Sequence, residues 1–263
     1  MKKRSALLGA IISLVPVSQP LFLGSTGSLM LSYSVKVNAE TFEFYLNRAI
    51  EKENKGDTFG SIYDYTSAIR LNPTSVDALF RRGRAKMLIN DFDGAIEDFT
   101  QVVELDPTNV DAYFYRAEAK ESLGSFFGAV KDYSRVIDLD PLYSEAYYNR
   151  GLSKEKMKNF DGAIEDFTKV IELDSNNAEA FHSRGLIHLN LRSYYDAIAD
   201  FDKAIELNPK FQLAFVNRME AKERIGDLTG ACADAKKAKK LGYKTQEHLD
   251  WIKEKCSSGG WFN

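Results

Sequence analysis

Apolar residues recur along residues 42–245 at spacings of three and four, the mark of helices with one buried face, and the whole pattern returns every 34 residues. Each period holds two such runs. In residues 144–177 the first extends from Ser144 to Met157 and the second from Phe160 to Leu173, with Lys158-Asn159 between them. Pro73, Pro107, Pro141 and Pro209 fall on the same grid, and Ser175 takes the missing place. Proline lacks an N–H and disfavours helix in the residue before it, so each second helix is expected to stop there and the chain to turn back. The periods are 42–75, 76–109, 110–143, 144–177, 178–211 and 212–245, which predicts six antiparallel helix pairs. A further helix over 246–256 is expected to cap the last pair through Leu249 and Ile252, followed by a flexible tail over 257–263.

The second helices open at Asp57, Asp91, Ser125, Asn159, Ser193 and Asp227. All six side chains can accept from the unpaired N–H groups of a first helical turn, so a capping bond is expected at each. Small residues mark where paired helices approach: Ala49, Gly83, Ala117, Gly151 and Gly185 on the first helices, Ala95, Ala129, Ala163, Ala197 and Ala231 on the second. Bulky residues alternate with them, as Tyr45, Leu79, Tyr113, Tyr147, Phe181 and Phe215 face Tyr65, Phe99, Tyr133, Phe167 and Phe201. A helix pair this short cannot bury such rings alone, so neighbouring pairs must stack into an all-α solenoid.

Two charged slots also repeat in every period: Arg48, Arg82, Arg116, Arg150, Arg184 and Arg218, and Asp64, Asp98, Asp132, Asp166, Asp200 and Asp234. They could form a recognition ladder or ion pairs that hold helices together. Opposite charges present together in every copy favour the pairs.

Composition narrows the function. With 44% apolar and 28% charged residues and 2 Cys, the chain is neither disordered nor a disulfide-stapled miniature. Its net charge of -3 offers no basic excess to neutralise phosphates, so nucleic acid is not an expected partner. Lys2-Lys3-Arg4 followed by the apolar run Ala6–Val17, with no charge until Lys36, reads as a secretory signal over residues 1–39, cleaved after Ala39. The alternative is an uncleaved membrane anchor, the uncharged span being long enough to cross a bilayer. Either way the remainder is expected outside the cytoplasm, in a periplasm, a lumen or the medium.

These slots resemble the tetratricopeptide repeat family. The period, the small-aromatic-small spacing, segments such as Tyr147-Tyr148-Asn149-Arg150-Gly151 and the closing Leu-Asp-Pro or Leu-Asn-Pro carry the resemblance over residues 42–245. One family slot, usually aromatic, here holds Lys52, Lys86, Lys120, Lys154, His188 and Lys222. The sixth repeat departs further, with Met219, Ala235 and Tyr243 replacing the small residue, the aromatic and the proline, as suits a terminal repeat. The resemblance implies a right-handed superhelix whose first helices line a concave groove that captures peptide. Its inward slots fall on Phe80, Arg81, Arg84, Phe114, Tyr115, Glu118, Tyr148, Asn149, His182, Ser183 and Asn217, bordered by Asp77, Asp111, Glu145 and Glu179. The same rings could instead be packing between repeats.

A subgroup of the family clamps a terminal carboxylate with Lys, Asn and Arg, and this chain does not reproduce the clamp. Leu46 and Ile50 fill its first slots, Arg81 replaces an Asn, and Asp111 stands where a Lys belongs. Asn149 and Asn217 keep the slot that bonds peptide backbone in that subgroup, and with acids bordering the groove a neutral or basic extended segment is the expected ligand. No nucleophile, metal or phosphate-loop spacing occurs: His182 and His188 are six residues apart and Gly259-Gly260 is the only adjacent glycine pair. No cofactor and no enzyme activity are expected. Cys232 and Cys256 lie 12 residues either side of Lys244, so antiparallel helices would bring them level, either bonded or as two free thiols. The leading expectation is an exported, non-catalytic binding scaffold. Its alternative is an anchored envelope assembly factor working through its convex face or its ends.

Overall fold

First helices begin at residues 42, 76, 110, 144, 178 and 212, one period apart. The computed structural model describes residues 41–256; the expectations for residues 1–39 and 257–263 lie outside them. The pairs are α1 (Phe42–Asn54) with α2 (Thr58–Leu71), α3 (Val76–Leu88) with α4 (Phe92–Leu105), and α5 (Val110–Ser122) with α6 (Phe126–Leu139). They continue as α7 (Ser144–Lys156) with α8 (Phe160–Leu173), α9 (Ala178–Asn190) with α10 (Tyr194–Leu207), and α11 (Gln212–Arg224) with α12 (Leu228–Lys240). Helix α13 (Gln246–Cys256) closes the stack. Each second helix also packs on the next first helix, while α3 touches α5 and α9 touches α11, so the first helices line one face of an all-α solenoid. None of these helices is long and apolar enough to cross a membrane.

Four of the second-helix caps form as expected. Asp57, Asp91, Asn159 and Asp227 accept from the amides of Gly60, Gly94, Gly162 and Gly230 at 2.8–3.2 Å. Ser125 and Ser193 occupy the same place with the same φ and make no such bond. First helices α1, α3, α5 and α9 are capped as well, by Thr41, Ser75, Asn109 and Asn177. The turn inside each pair needs one residue at positive φ. Gly56, Gly124 and Gly226 supply it without strain, whereas Lys158 and Arg192 hold φ 60° and 64° at a cost of about 1 kcal/mol each.

The Arg and Asp slots form ion pairs between paired helices in all six repeats. Arg150 Nε and Nη2 reach the two Asp166 oxygens at 3.0 and 2.7 Å, and the other five pairs have the same fork. The lysines that replace the family's aromatic complete this pairing: Lys52, Lys86, Lys120, Lys154 and Lys222 bring Nζ within 2.6–2.9 Å of the same aspartate. His188 comes only to 3.9 Å of Asp200. A third guanidinium nitrogen crosses to the preceding repeat, from Arg82, Arg116, Arg150 and Arg184 to Thr66, Thr100, Ser134 and Thr168, and from Arg218 to Asp202. Each of these five arginines thus ties three helices together, and all six aspartates are buried. Burial raises the Asp64 carboxyl but Arg48 and Lys52 outweigh it, holding its pKa below the usual value.

The sixth repeat's departures are explained by α13. Ala235 leaves room where other repeats carry a ring, and Trp251 and Ile252 pack there against Met219, Ala231 and Ala235. His248 is buried with Nε2 2.9 Å from the Ala235 carbonyl, and Trp251 donates to Glu223 at 3.1 Å. The contact is therefore made by His248, Trp251 and Ile252, whereas Leu249, expected to face the pair, is half-buried outside that cluster. Cys232 and Cys256 are joined by a disulfide, their Cα atoms 5.6 Å apart.

Candidate functional site

The face lined by the first helices divides its expected contact residues into two groups. Phe114 is 4% exposed and belongs to a core of Tyr133, Val136, Ala146 and Tyr143, its ring 5.2 Å from that of Tyr143. His182 is 8% exposed, against Phe201 and Phe211, with Nε2 2.8 Å from Asn217 Nδ2. Burial pushes the imidazole down to about 4, against a smaller upward pull from Glu179. Phe114 and His182 are therefore packing residues, and Asn217 is engaged by His182 rather than held free for a peptide backbone. Ser183 is buried too, bonded to the Tyr148 hydroxyl at 3.2 Å. Asn149 is half-buried and hydrogen-bonds to the Tyr133 hydroxyl. These side chains join helices within and between repeats, the packing reading left open beside the groove.

The second group stays accessible. Phe80 is half-buried, its ring 5.7 Å from both Phe99 and Tyr115. Arg81 is held by Asp77 at 2.7 Å and Glu53 at 3.5 Å. Arg84 is exposed and lies over the Tyr115 ring at 5.4 Å. Around Arg84, Tyr115 and Glu118 opens a pocket of about 310 Å³ whose other walls include Glu53, Ser61 and Met87. Burial, with Glu145 and Glu121 nearby, pushes the Glu118 carboxyl up to about 7. Burial and a set of acids led by Asp111 and Glu145 likewise push the Tyr143 hydroxyl up to about 12, so the middle of this face carries a negative field.

Two more hollows lie on the same face. One of about 450 Å³ is bordered by Ser144, Glu145, Tyr148, Asp174, Asn177 and Glu179. The other, about 430 Å³, lies between α9 and α11 and gathers Arg192, Arg224, Asn190, Tyr194, Asn217 and Glu220. Arg192 and Arg224 were not legible as site residues, because Arg192 sits in the turn, outside the helical slots that the periodicity reads. Among the described residues no group of three His, Cys, Asp or Glu is placed to share a metal ion.

A stack of two-helix units joined by repeated ion pairs, with an accessible hollowed face, defines a helical-repeat interaction scaffold. The tetratricopeptide repeat family model matches residues 144–177 and 178–211, and a second model for this repeat matches residues 83–124. A solved structure of MamA is 31% identical, with a TM-score of 0.63 over 65% of this chain and 93% of MamA. The chain belongs to the tetratricopeptide repeat family. YrrB, described as a repeat protein with an unusual peptide-binding site, is 18% identical with a TM-score of 0.62, covering 72% of this chain and 97% of its own. A tetratricopeptide repeat protein from Parabacteroides merdae is 19% identical with a TM-score of 0.63, covering 82% and 98%. These last two share the fold. No curated protein matches the chain.

Proposed function

We propose that this chain is a non-catalytic scaffold that holds an extended segment of a partner protein, neutral or basic, on the face of its first helices, outside the cytoplasm. The observation that carries the reading is the pocket of Arg84, Tyr115 and Glu118, where an aromatic platform and a half-buried acid stay open while the neighbouring rings are packed away. Aromatic surface gives a ligand large contact area at small entropic cost. The bordering acids Asp111, Glu145 and Glu179 are exposed and favour a partner without net negative charge. YrrB's described peptide-binding site, on the same fold, supports a peptide ligand. Export is supported by the basic-then-apolar start of the chain and by the Cys232–Cys256 disulfide, since such bonds persist in oxidising compartments.

The test is affinity capture from native extract with the tagged full-length chain beside Arg84→Ala/Glu118→Gln, both checked for equal helicity and for being fully folded under the capture conditions. A partner retained by the wild type and lost by the variant supports the groove. A partner retained equally by both defeats it. A second reading places the contact on the outer edge, where Phe59, Phe127 and Tyr195 stand 73%, 68% and 75% exposed at the second residue of α2, α6 and α10. Phe127→Ser/Tyr195→Ser would then abolish capture.

A further inference from the structure

Three charged groups on the inner face differ from the rest in what holds them. Arg81 is spoken for by Asp77 and Glu53, Glu121 accepts from Tyr133 and Ser153, and Glu223 accepts from Trp251. The Glu118 carboxylate makes no hydrogen bond or ion pair with any described residue, although the residue is half-buried in the wall of a pocket. The Arg192 guanidinium likewise has no partner among the described residues, and Arg224 has only Glu220, at a loose 3.4 Å. Both arginines open into one hollow between α9 and α11, which Asn190, Asn217 and Tyr194 make polar.

The two ends of the face therefore have opposite needs. A half-buried carboxylate flanked by Glu121 and Glu145 has lost part of its water without gaining a cation, and an incoming ammonium or guanidinium would feel all three acids. Two guanidinium groups in one polar hollow call for an oxyanion, which they can grip with paired N–H donors. Between these ends the α7 slots present Tyr148, Leu152 and Asn149, half-buried and uncharged.

We propose that the inner face binds a segment of mixed charge, placing a basic side chain on Glu118 beside Tyr115 and an acidic side chain between Arg192 and Arg224. This rests on the groove reading above. Adjacent packed helices lie roughly 8–10 Å apart, so from α5 to the gap between α9 and α11 is roughly 20–25 Å. Extended chain advances about 3.3 Å per residue, which separates the two charges by about six to eight residues. A uniformly basic segment satisfies one end only, and a uniformly acidic one meets repulsion over α5 and α7.

The probe is a displayed library of random peptides, each about twelve residues to exceed that span, selected on the full-length wild type, on E118Q and on R192G/R224Q. Glycine suits the positive φ of residue 192, so the second variant keeps its turn. The expected result is at least about tenfold enrichment of Arg or Lys six to eight residues from Asp or Glu on the wild type. E118Q should lose the basic preference and keep the acidic one, and R192G/R224Q the reverse. Enriched peptides without the charge pair, or variants that keep both preferences, overturn the assignment. If such peptides are nonetheless lost on Arg84→Ala, the groove stands and only its charge selectivity falls. If nothing is enriched, or all variants bind alike, the groove reading falls with it.

Discussion

The Cβ that Gly151 lacks would stand 3.0 Å from Cε1 of Phe167, and at Gly83 and Gly185 the same atom would come within 2.8 Å of Phe99 and Phe201. In the two repeats that carry alanine in this slot, Ala49 and Ala117, the facing ring is a tyrosine instead. Each of those hydroxyls is bonded one helical turn further along, Tyr65 to Glu53 and Tyr133 to Glu121 at 3.2 Å. Burial first and these glutamates second push both phenols above their ordinary range. The pairing is thus glycine with phenylalanine, and alanine with a tethered tyrosine.

Gly151→Ala is accordingly expected to destabilise the chain by about 1 kcal/mol, overpacking against Phe167 outweighing the better helix propensity of alanine. Repeat four already has Glu155 in the place of Glu53 and Glu121. Phe167→Tyr added to Gly151→Ala should therefore recover most of the loss, with a coupling of at least about 0.5 kcal/mol in a denaturant double-mutant cycle. Strict additivity of the two changes would remove the explanation.

The Arg150–Asp166 pair is expected to act on stability and not on ligand choice. Asp166 is nearly fully buried and has two cationic partners, Arg150 and Lys154. Arg150→Ala leaves the lysine in place and should cost about 3 kcal/mol, whereas Asp166→Ala strands two cations and should cost more. Urea unfolding gives both values. Partner binding measured where each variant is fully folded should match the wild type, and lost binding at an unchanged unfolding midpoint would show the pair to be a recognition element.

The fold was legible because its information is local and repeated: proline, cap, small residue and ring recur at one period, and a helix pair has few other ways to bury them. The ion pairs were legible for the same reason, since Arg and Asp recur together. What the residues could not show was which side of a helix-to-helix seam a ring falls on. Phe114 and Tyr115 are adjacent, yet a step of about 100° sends the first into the core and leaves the second beside the pocket. His182 gave no sign that Asn217, 35 residues later, would claim it. Lys52 and its equivalents looked like departures from the family, although in space they are the third members of each ion-pair cluster.

Two groups partly or wholly withdrawn from water should give the stability opposite dependences on pH. Unfolded, Glu118 loses its proton near 4.5, but in the folded chain it keeps it to about 7. Its surroundings are Tyr115 and Glu121 on α5, Arg84 and Glu53 across the pocket, Tyr133 and Tyr143 behind it, and Glu145 on α7; Asp98 of α4 is turned into its own ion pairs. Stability should fall as pH rises from 4.5 to 7 and then level off, and Glu118→Gln should gain about 1 kcal/mol at pH 8 and little at pH 4, the partial exposure of the group screening the rest. His182 works the other way. Its unfolded form takes a proton near 6.5 and its folded form only near 4, so stability is lost as pH falls through that interval. Urea midpoints from pH 4 to 8 for wild type, Glu118→Gln and His182→Gln separate the two slopes. A glutamine variant whose profile parallels the wild type would deny that group its part.

The Cys232–Cys256 bond closes a loop of 24 residues in sequence and fastens α13 to α12. By loop entropy such a closure contributes about 3–4 kcal/mol. The helix it holds covers little: Trp251, Ile252 and His248 supply its contact with the last pair. Because each repeat of a solenoid leans only on its neighbours, losing the bond should act locally. Reduction, or Cys256→Ser, is expected to speed hydrogen exchange throughout α13 and then in α11 and α12, where Met219, Ala231 and Ala235 would be uncovered, while α3 to α8 keep their protection. It should also lower the melting temperature of the last repeat ahead of the rest. Exchange in α13 that stays as slow after reduction as before would mean that His248 and Trp251 hold the cap without the disulfide.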